Sequence, residues 1–210
     1  MFRELLQEKL TGVASLTPHE LRALEEHYQL LVRWNSVLNL TSIEDLSEIV
    51  ERHYCESVFL TMRLPRGALR VADLGSGAGF PGLPLAVLRP DCAITLVEVH
   101  RRKAVFLREA SRHLANVRVL PVRFENFSEP PFDRAVSRAV SYQDLKPALK
   151  KLAHAADLLT GAEGPPTDLG FVWNTALRLP WGRNRFFRSG VSRGTGEIGV
   201  SRGTQTAETP

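Results

Sequence analysis

After Pro65-Arg66-Gly67 the chain sets five short apolar runs, ALRVADL, AITLVEV, NVRVLPV, DRAVSRA and GFVWNTALRL, apart by stretches long enough for a helix. Strand-length runs at that spacing join most readily through βαβ crossovers, which predicts a mostly parallel sheet with helices on its faces. The last run passes through Pro180-Trp181-Gly182-Arg183-Asn184 into Arg185-Phe186-Phe187, which predicts a hairpin closing the sheet edge. Ahead of Pro65 the rhythm changes to spacings of three and four: Leu5, Leu6 and Leu10, then Leu21, Leu24, Tyr28, Leu31 and Val32, then Leu46, Ile49, Val50 and Tyr54. Three or four short helices follow, with Thr17, Pro18 and Glu20 opening the second as a cap. The expected organisation is a helical cap over residues 1–66, an α/β domain over 67–188 and a disordered tail over 189–210, where VSRGT occurs twice.

Composition excludes several classes. At 43% hydrophobic and 24% charged residues the chain is too apolar for wholesale disorder. Its best short apolar run, Leu83 to Leu88, contains Pro84 and is far short of the ~18 residues a membrane span needs. The opening MFRELLQEKL has no apolar core or cleavage site of an export signal, so a cytoplasmic location is expected. Cys55 and Cys92 have neither disulfide-framework nor zinc spacing, and no metal is expected. The charge of +4 hints only mildly at a polyanionic partner.

The sharpest local signal is Val71-Ala72-Asp73-Leu74-Gly75-Ser76-Gly77-Ala78-Gly79-Phe80-Pro81-Gly82, at the end of the first predicted strand. Glycines there let a ligand approach the backbone and permit positive φ. Gly77, Gly79 and Gly82 also satisfy GxGxxG, with Glu98 at the end of the next strand, so a dinucleotide is a competing ligand. Asp73 separates the two. A carboxylate at the strand's carboxyl end repels a pyrophosphate by about 1 to 4 kcal/mol but suits an ammonium or a sulfonium. S-adenosylmethionine carries both cations and no phosphate, and Glu98 would hold its ribose diol.

These residues resemble the ribosomal RNA small subunit methyltransferase G family, also called glucose-inhibited division protein B. The likeness runs from about Arg33 to Phe187 and rests on RWNSVLNLTSI with RHYCES, DLGSGAGFPGLPL, LVEVHRRKAVFL, VRFENF, FDRAVSRA and WGRNRFF. It implies a seven-stranded Rossmann-like methyltransferase sheet with an N-terminal helical cap. It also implies methyl transfer from S-adenosylmethionine to N7 of a guanine in the 530 loop of 16S ribosomal RNA. Asp73, Gly75, Ser76, Gly77, Gly79, Phe80, Glu98, Phe124, Glu125 and Arg138 are the expected cofactor-binding residues. Arg123, Arg138 and Arg185 match the family's functional arginines, which residue chemistry alone would not separate from surface arginines.

His53, Glu56 and Ser57 match a family HxxDS run that borders the cofactor pocket, with glutamate in place of aspartate; a helix-surface histidine is the competing reading. Trp34, Asn35, Asn39 and Thr41 are expected to set a helix end rather than touch RNA. Leu159-Thr160-Gly161 stands where the resemblance expects Lys-Gly, and the connection on to Trp173 is short. A methyltransferase with another acceptor and a catalytically silent RNA-binding or assembly factor remain as alternative functions. A monomer is expected.

Overall fold

The structure, a computed structural model, describes residues 1–123, Asn126 and residues 131–193. Its sheet is Rossmann-like. Five strands run parallel: β1 (Arg70–Leu74), β2 (Ala93–Val97), β3 (Val117–Leu120), β4 (Phe132–Arg138) and β5 (Ala153–Thr160). The remaining strands are β6 (Phe171–Trp173), β7 (Leu177–Arg178) and β8 (Phe186–Ser192). The order is β3-β2-β1-β4-β5-β8-β6, a seven-strand path with β7 paired to β8 beside it.

Two expectations shift. The predicted hairpin exists, but β8 inserts antiparallel between β5 and β6, so the hairpin's second strand is interior and not an edge. Pairing with two neighbours also carries β8 through Ser192, past the Arg188 at which the sequence reading ended the domain. The run GFVWNTALRL is divided between β6 and β7. Only a 3-10 turn, Thr167–Leu169, interrupts the connection from β5 to β6, in keeping with its short length.

The cap consists of α1 (Phe2–Lys9), α2 (Pro18–Leu38) and a continuous helical rod. That rod comprises α3 (Leu46–Ile49), a π-helical stretch (Val50–Cys55) and α4 (Glu56–Arg63). Thr17 caps α2 as the sequence predicts: its side chain accepts from Glu20 N, and the Glu20 carboxylate accepts from Thr17 N at 2.6 Å. Asn39 ends α2 in the left-handed region, and Asn35 ties the turn through Thr41 N at 2.9 Å.

The two faces of the sheet carry separate cores. Along β1, Val71 joins a cluster with Leu6, Leu24, Tyr54, Leu96 and Phe106, so the cap is continuous with the core on that face. Ala72 and Leu74 point the other way, toward Leu145, Leu149 and Leu152 of α7 (Tyr142–Leu152). Two further helices, α5 (Gly82–Leu88) and α6 (Arg101–Ala110), complete the cap-side layer, with Leu83 and Phe106 in its core. Among the described residues no helix is long and apolar enough to cross a membrane.

Candidate active site

Strand order reverses between β1 and β4: β2 and β3 lie to one side, β5 to the other. The loops leaving such a pair diverge and open a crevice at the strands' carboxyl ends. Here the crevice is a cavity of about 550 Å3 whose wall includes Gly75, Ser76, Gly77, Phe80, Glu98, Arg123 and Arg138. All seven are sequence-predicted. The sequence reading missed His100, Lys103, Asp144 and the segment Ala139–Ser141, which line the same cavity. The reversal of strand order marks the loop after β4, but that reversal is visible only once the strands are paired.

Gly75 turns out of β1 at φ +74°, and a Cβ there would stand 2.4 Å from Val140 Cγ2. Both conformation and clearance require glycine. Beneath the loop, Asp73 is fully buried and lies outside the cavity wall. Its Oδ2 accepts from Gly82 N at 3.0 Å, at the start of α5, while Oδ1 has no partner among the described residues. Burial pushes the Asp73 carboxyl up to about 7, against the pull of its hydrogen bonds. Glu98 is pinned through both oxygens, accepting from Gly77 N at 2.9 Å and His100 N at 2.8 Å. Gly79, expected to bind the cofactor, is instead outside the cavity wall and turned toward Leu83, whose side chain leaves no room for a Cβ.

The cap supplies the loop's support. His27 from α2 is buried with Nε2 3.0 Å from the Ala78 carbonyl and Nδ1 3.1 Å from the Tyr54 hydroxyl. A carbonyl only accepts, so Nε2 carries the proton and Tyr54 donates to Nδ1. Burial lowers His27 to about 4 and keeps it neutral. His53, which the sequence left open as a helix-surface residue, is instead buried and stacked on Phe80 at 4.7 Å. Its Nε2 meets Thr41 Oγ1 at 2.9 Å, and burial, with the Arg138 and Arg52 charges, lowers it to about 2.

The wall on the β4 side is cationic. Arg138 places its guanidinium 5.4 Å from the Phe80 ring centroid and donates to the Arg52 carbonyl at 2.6 Å. Burial lowers it to about 10, so it remains charged at neutral pH. Ala139 follows at φ +58°, a conformation that costs an alanine roughly 1–2 kcal/mol. Ala139, Val140 and Ser141 form a partition, for they also line a second cavity of about 400 Å3. Arg185 borders that second cavity and not the first. At the end of β5, Thr160 Oγ1 accepts from Arg188 Nε at 3.2 Å, so a cation stands beside the position where the resemblance expects lysine. Phe124 and Glu125 lie outside the described residues.

Residues 20–159, two thirds of the chain, match the family model of rRNA small subunit methyltransferase G. The chain belongs to this family. A ribosomal RNA small subunit methyltransferase G from Methylobacillus flagellatus is 37% identical over 178 residues, which cover 80% of this chain and 86% of that protein. The protein of the same name from Xanthomonas axonopodis pv. citri is 46% identical over 120 residues; the match covers 56% of this chain and 56% of that relative's length. The fold aligns with the crystal structure of a SAM dependent methyltransferase from Aquifex aeolicus at a TM-score of 0.59 and 18% identity, covering 73% of this chain and 97% of that one. Within the methyltransferase G framework the two cavities divide the expected residues: the glycine loop and Arg138 face one, and Arg185 faces the other.

Proposed function

We propose that this chain, acting as a cytoplasmic monomer, transfers the methyl group of S-adenosylmethionine to N7 of a guanine in the 530 loop of 16S ribosomal RNA. The observation that carries the reading is the cavity at the β1–β4 switch point, with a glycine loop and an acid on one wall and arginine on the other. Membership of the methyltransferase G family supports the choice of acceptor.

The residues present fit the cofactor. A fully buried carboxylate with an unpaired oxygen, Asp73, underlies the loop and favours a cationic ligand over a phosphate. Glu98, although held by two backbone amides, keeps acceptor capacity on both oxygens for a vicinal diol. Bound there, S-adenosylmethionine would supply an electrophilic methyl group on a cationic sulfur. Guanine N7 carries an in-plane lone pair and no proton, so the protein needs no general base. That agrees with a site whose buried histidines, His27 and His53, are both held neutral by burial. The work left to the chain is orientation. Arg123, Arg138 and Arg185 are the groups suited to phosphate and base-edge contacts around an exposed guanine. An A-form major groove is too deep and narrow to admit such a site, so the target must be unpaired or opened.

The test is to incubate the protein and methyl-labelled S-adenosylmethionine with small subunits from cells lacking this modification, then map the label. Label at N7 of one guanine in the 530 loop is the expected result. Cofactor binding with no label, beside an active control enzyme, would overturn the assignment of acceptor.

A further inference from the structure

Glu56 is an enclosed charge outside the glycine loop: its side chain is 1% exposed. Around it converge three guanidinium groups. Arg185, 129 residues away, donates through Nε to Oε1 at 2.8 Å and through Nη2 to Oε2 at 2.7 Å. Arg52 Nε stands 3.8 Å from Oε1 and has no hydrogen-bond partner of its own among the described residues. Arg138 bonds the Arg52 carbonyl and is stabilised in its charged form by Glu56. Glu56 itself lines neither cavity. It begins α4 directly after the π-helical turn, so a helix of the cap reaches the hairpin between β7 and β8.

We infer that Glu56 is a positioning residue for methyl transfer, holding the Arg185 fork at the rim of the second cavity. The inference rests on the proposed reaction and deepens it. A bidentate pair fixes the plane as well as the position of a guanidinium, which a flexible arginine on a hairpin would otherwise lack. An apolar pair would fill the same space at lower desolvation cost, so stability alone gives little reason for a buried ion pair here. Occupying Nε and Nη2 leaves Nη1 of Arg185 without a hydrogen bond among the described residues, available to an incoming phosphate or base edge. Arg52 and Arg138 keep the cluster net positive, so Glu56 orients the arginine without cancelling the field that an RNA backbone would meet.

The experiment compares wild type, Glu56→Gln and Glu56→Asp by single-turnover methylation, cofactor affinity and the NMR signal of Arg185 Nε–H. Glu56→Gln is expected to lower kcat/KM for the small subunit on the order of 10²-fold, as misplacement of an orienting group does. Its cofactor affinity should fall much less than kcat/KM does, because Glu56 is outside the cofactor cavity and acts on its wall only through the charge of Arg138. The Arg185 Nε–H signal should lose its protection from exchange. Glu56→Asp should recover part of both. Combining Glu56→Gln with Arg185→Ala should cost no more than Arg185→Ala alone, since both changes remove one function. Unchanged kcat/KM in Glu56→Gln, or an unchanged Arg185 signal, would overturn the inference. If Glu56→Gln does not fold, Arg185→Lys, which keeps the charge and loses the fork, takes its place with the same expectation in kcat/KM. Should wild type methylate no ribosomal substrate, the proposed function falls, and the Arg185 signal alone decides whether Glu56 positions it.

Discussion

The two sides of the β1–β4 switch point are built by different means. On the β1–β2 side the chain uses contiguous sequence and backbone groups: Gly75 turns the strand, Gly77 N holds Glu98, and Gly82 N holds Asp73. On the β4–β5 side it uses long side chains gathered from afar: Arg138 reaches the Arg52 carbonyl 86 residues away, and Arg185 reaches Glu56. A third pair, Arg134 with Asp157, ties β4 to β5, and Arg134 also donates to Ser189 Oγ of β8 at 3.0 Å. The backbone side tolerates little change of shape, whereas the side-chain side depends on each guanidinium keeping the oxygen that holds it.

The largest effect expected from that difference is at Arg134. Its replacement by leucine leaves Asp157, 0% exposed, without its ion partner. A loss of about 3–5 kcal/mol in unfolding free energy should result, read by denaturant titration. A loss below about 1 kcal/mol would place this pair with ordinary surface pairs and erase the contrast.

Next comes Asp73, the acid buried beneath the glycine loop. Asp73→Ala is expected to weaken S-adenosylmethionine binding by about 1.5–3 kcal/mol, measured by calorimetry. The pH dependence sharpens the point. Because the folded Asp73 carboxyl is raised to about 7, the ionised form that suits a cation is gained as pH rises through 7. Cofactor affinity should therefore strengthen between pH 5.5 and pH 8.5 in wild type and lose that dependence in Asp73→Asn. The same shift acts oppositely on the ligand-free fold. A raised folded pKa contributes stability below the unfolded value, and that stability is lost as pH rises through about 7. Asp73→Asn should thus be more stable than wild type at pH 8, with the difference closing toward pH 4.

Gly75→Ala tests clearance without touching charge. Its left-handed φ and the 2.4 Å approach to Val140 Cγ2 predict a destabilisation of about 1–2 kcal/mol or more and a weaker cofactor complex. The smallest effect is expected at Arg123, exposed at the cavity mouth. Arg123→Ala should reduce the salt slope of RNA binding by about one unit while leaving cofactor affinity in place.

The same contrast explains what was legible in the sequence. Local devices could be read directly: the Thr17–Glu20 cap, the Asn39 helix end, the glycine loop and four of the five parallel strands. The fifth, β5, escaped the pattern of apolar runs because AHAADLLT carries His154 and Asp157, and Asp157 is apolar in neither composition nor role. The interior position of β8 was hidden for a related reason. Nothing in a hairpin's own residues says which neighbour its second strand will take. His53 and Glu56 could be placed on a helix, but their burial depends on Phe80 and Arg185, partners that only the folded chain supplies. The arginines were reached through resemblance to a family, since one guanidinium in a sequence looks like another.

The insertion of β8 has a further consequence for how the molecule comes into being. Translation produces β8 after every strand it must join. While the nascent chain still ends short of Phe186, β5 is an open border, and the Arg134–Asp157 pair lacks its Ser189 contact. Such a border invites pairing with a foreign strand. A stalled or shortened polypeptide lacking only these late residues would thus be left with a gap in the middle of its architecture and a ready seam for aggregation.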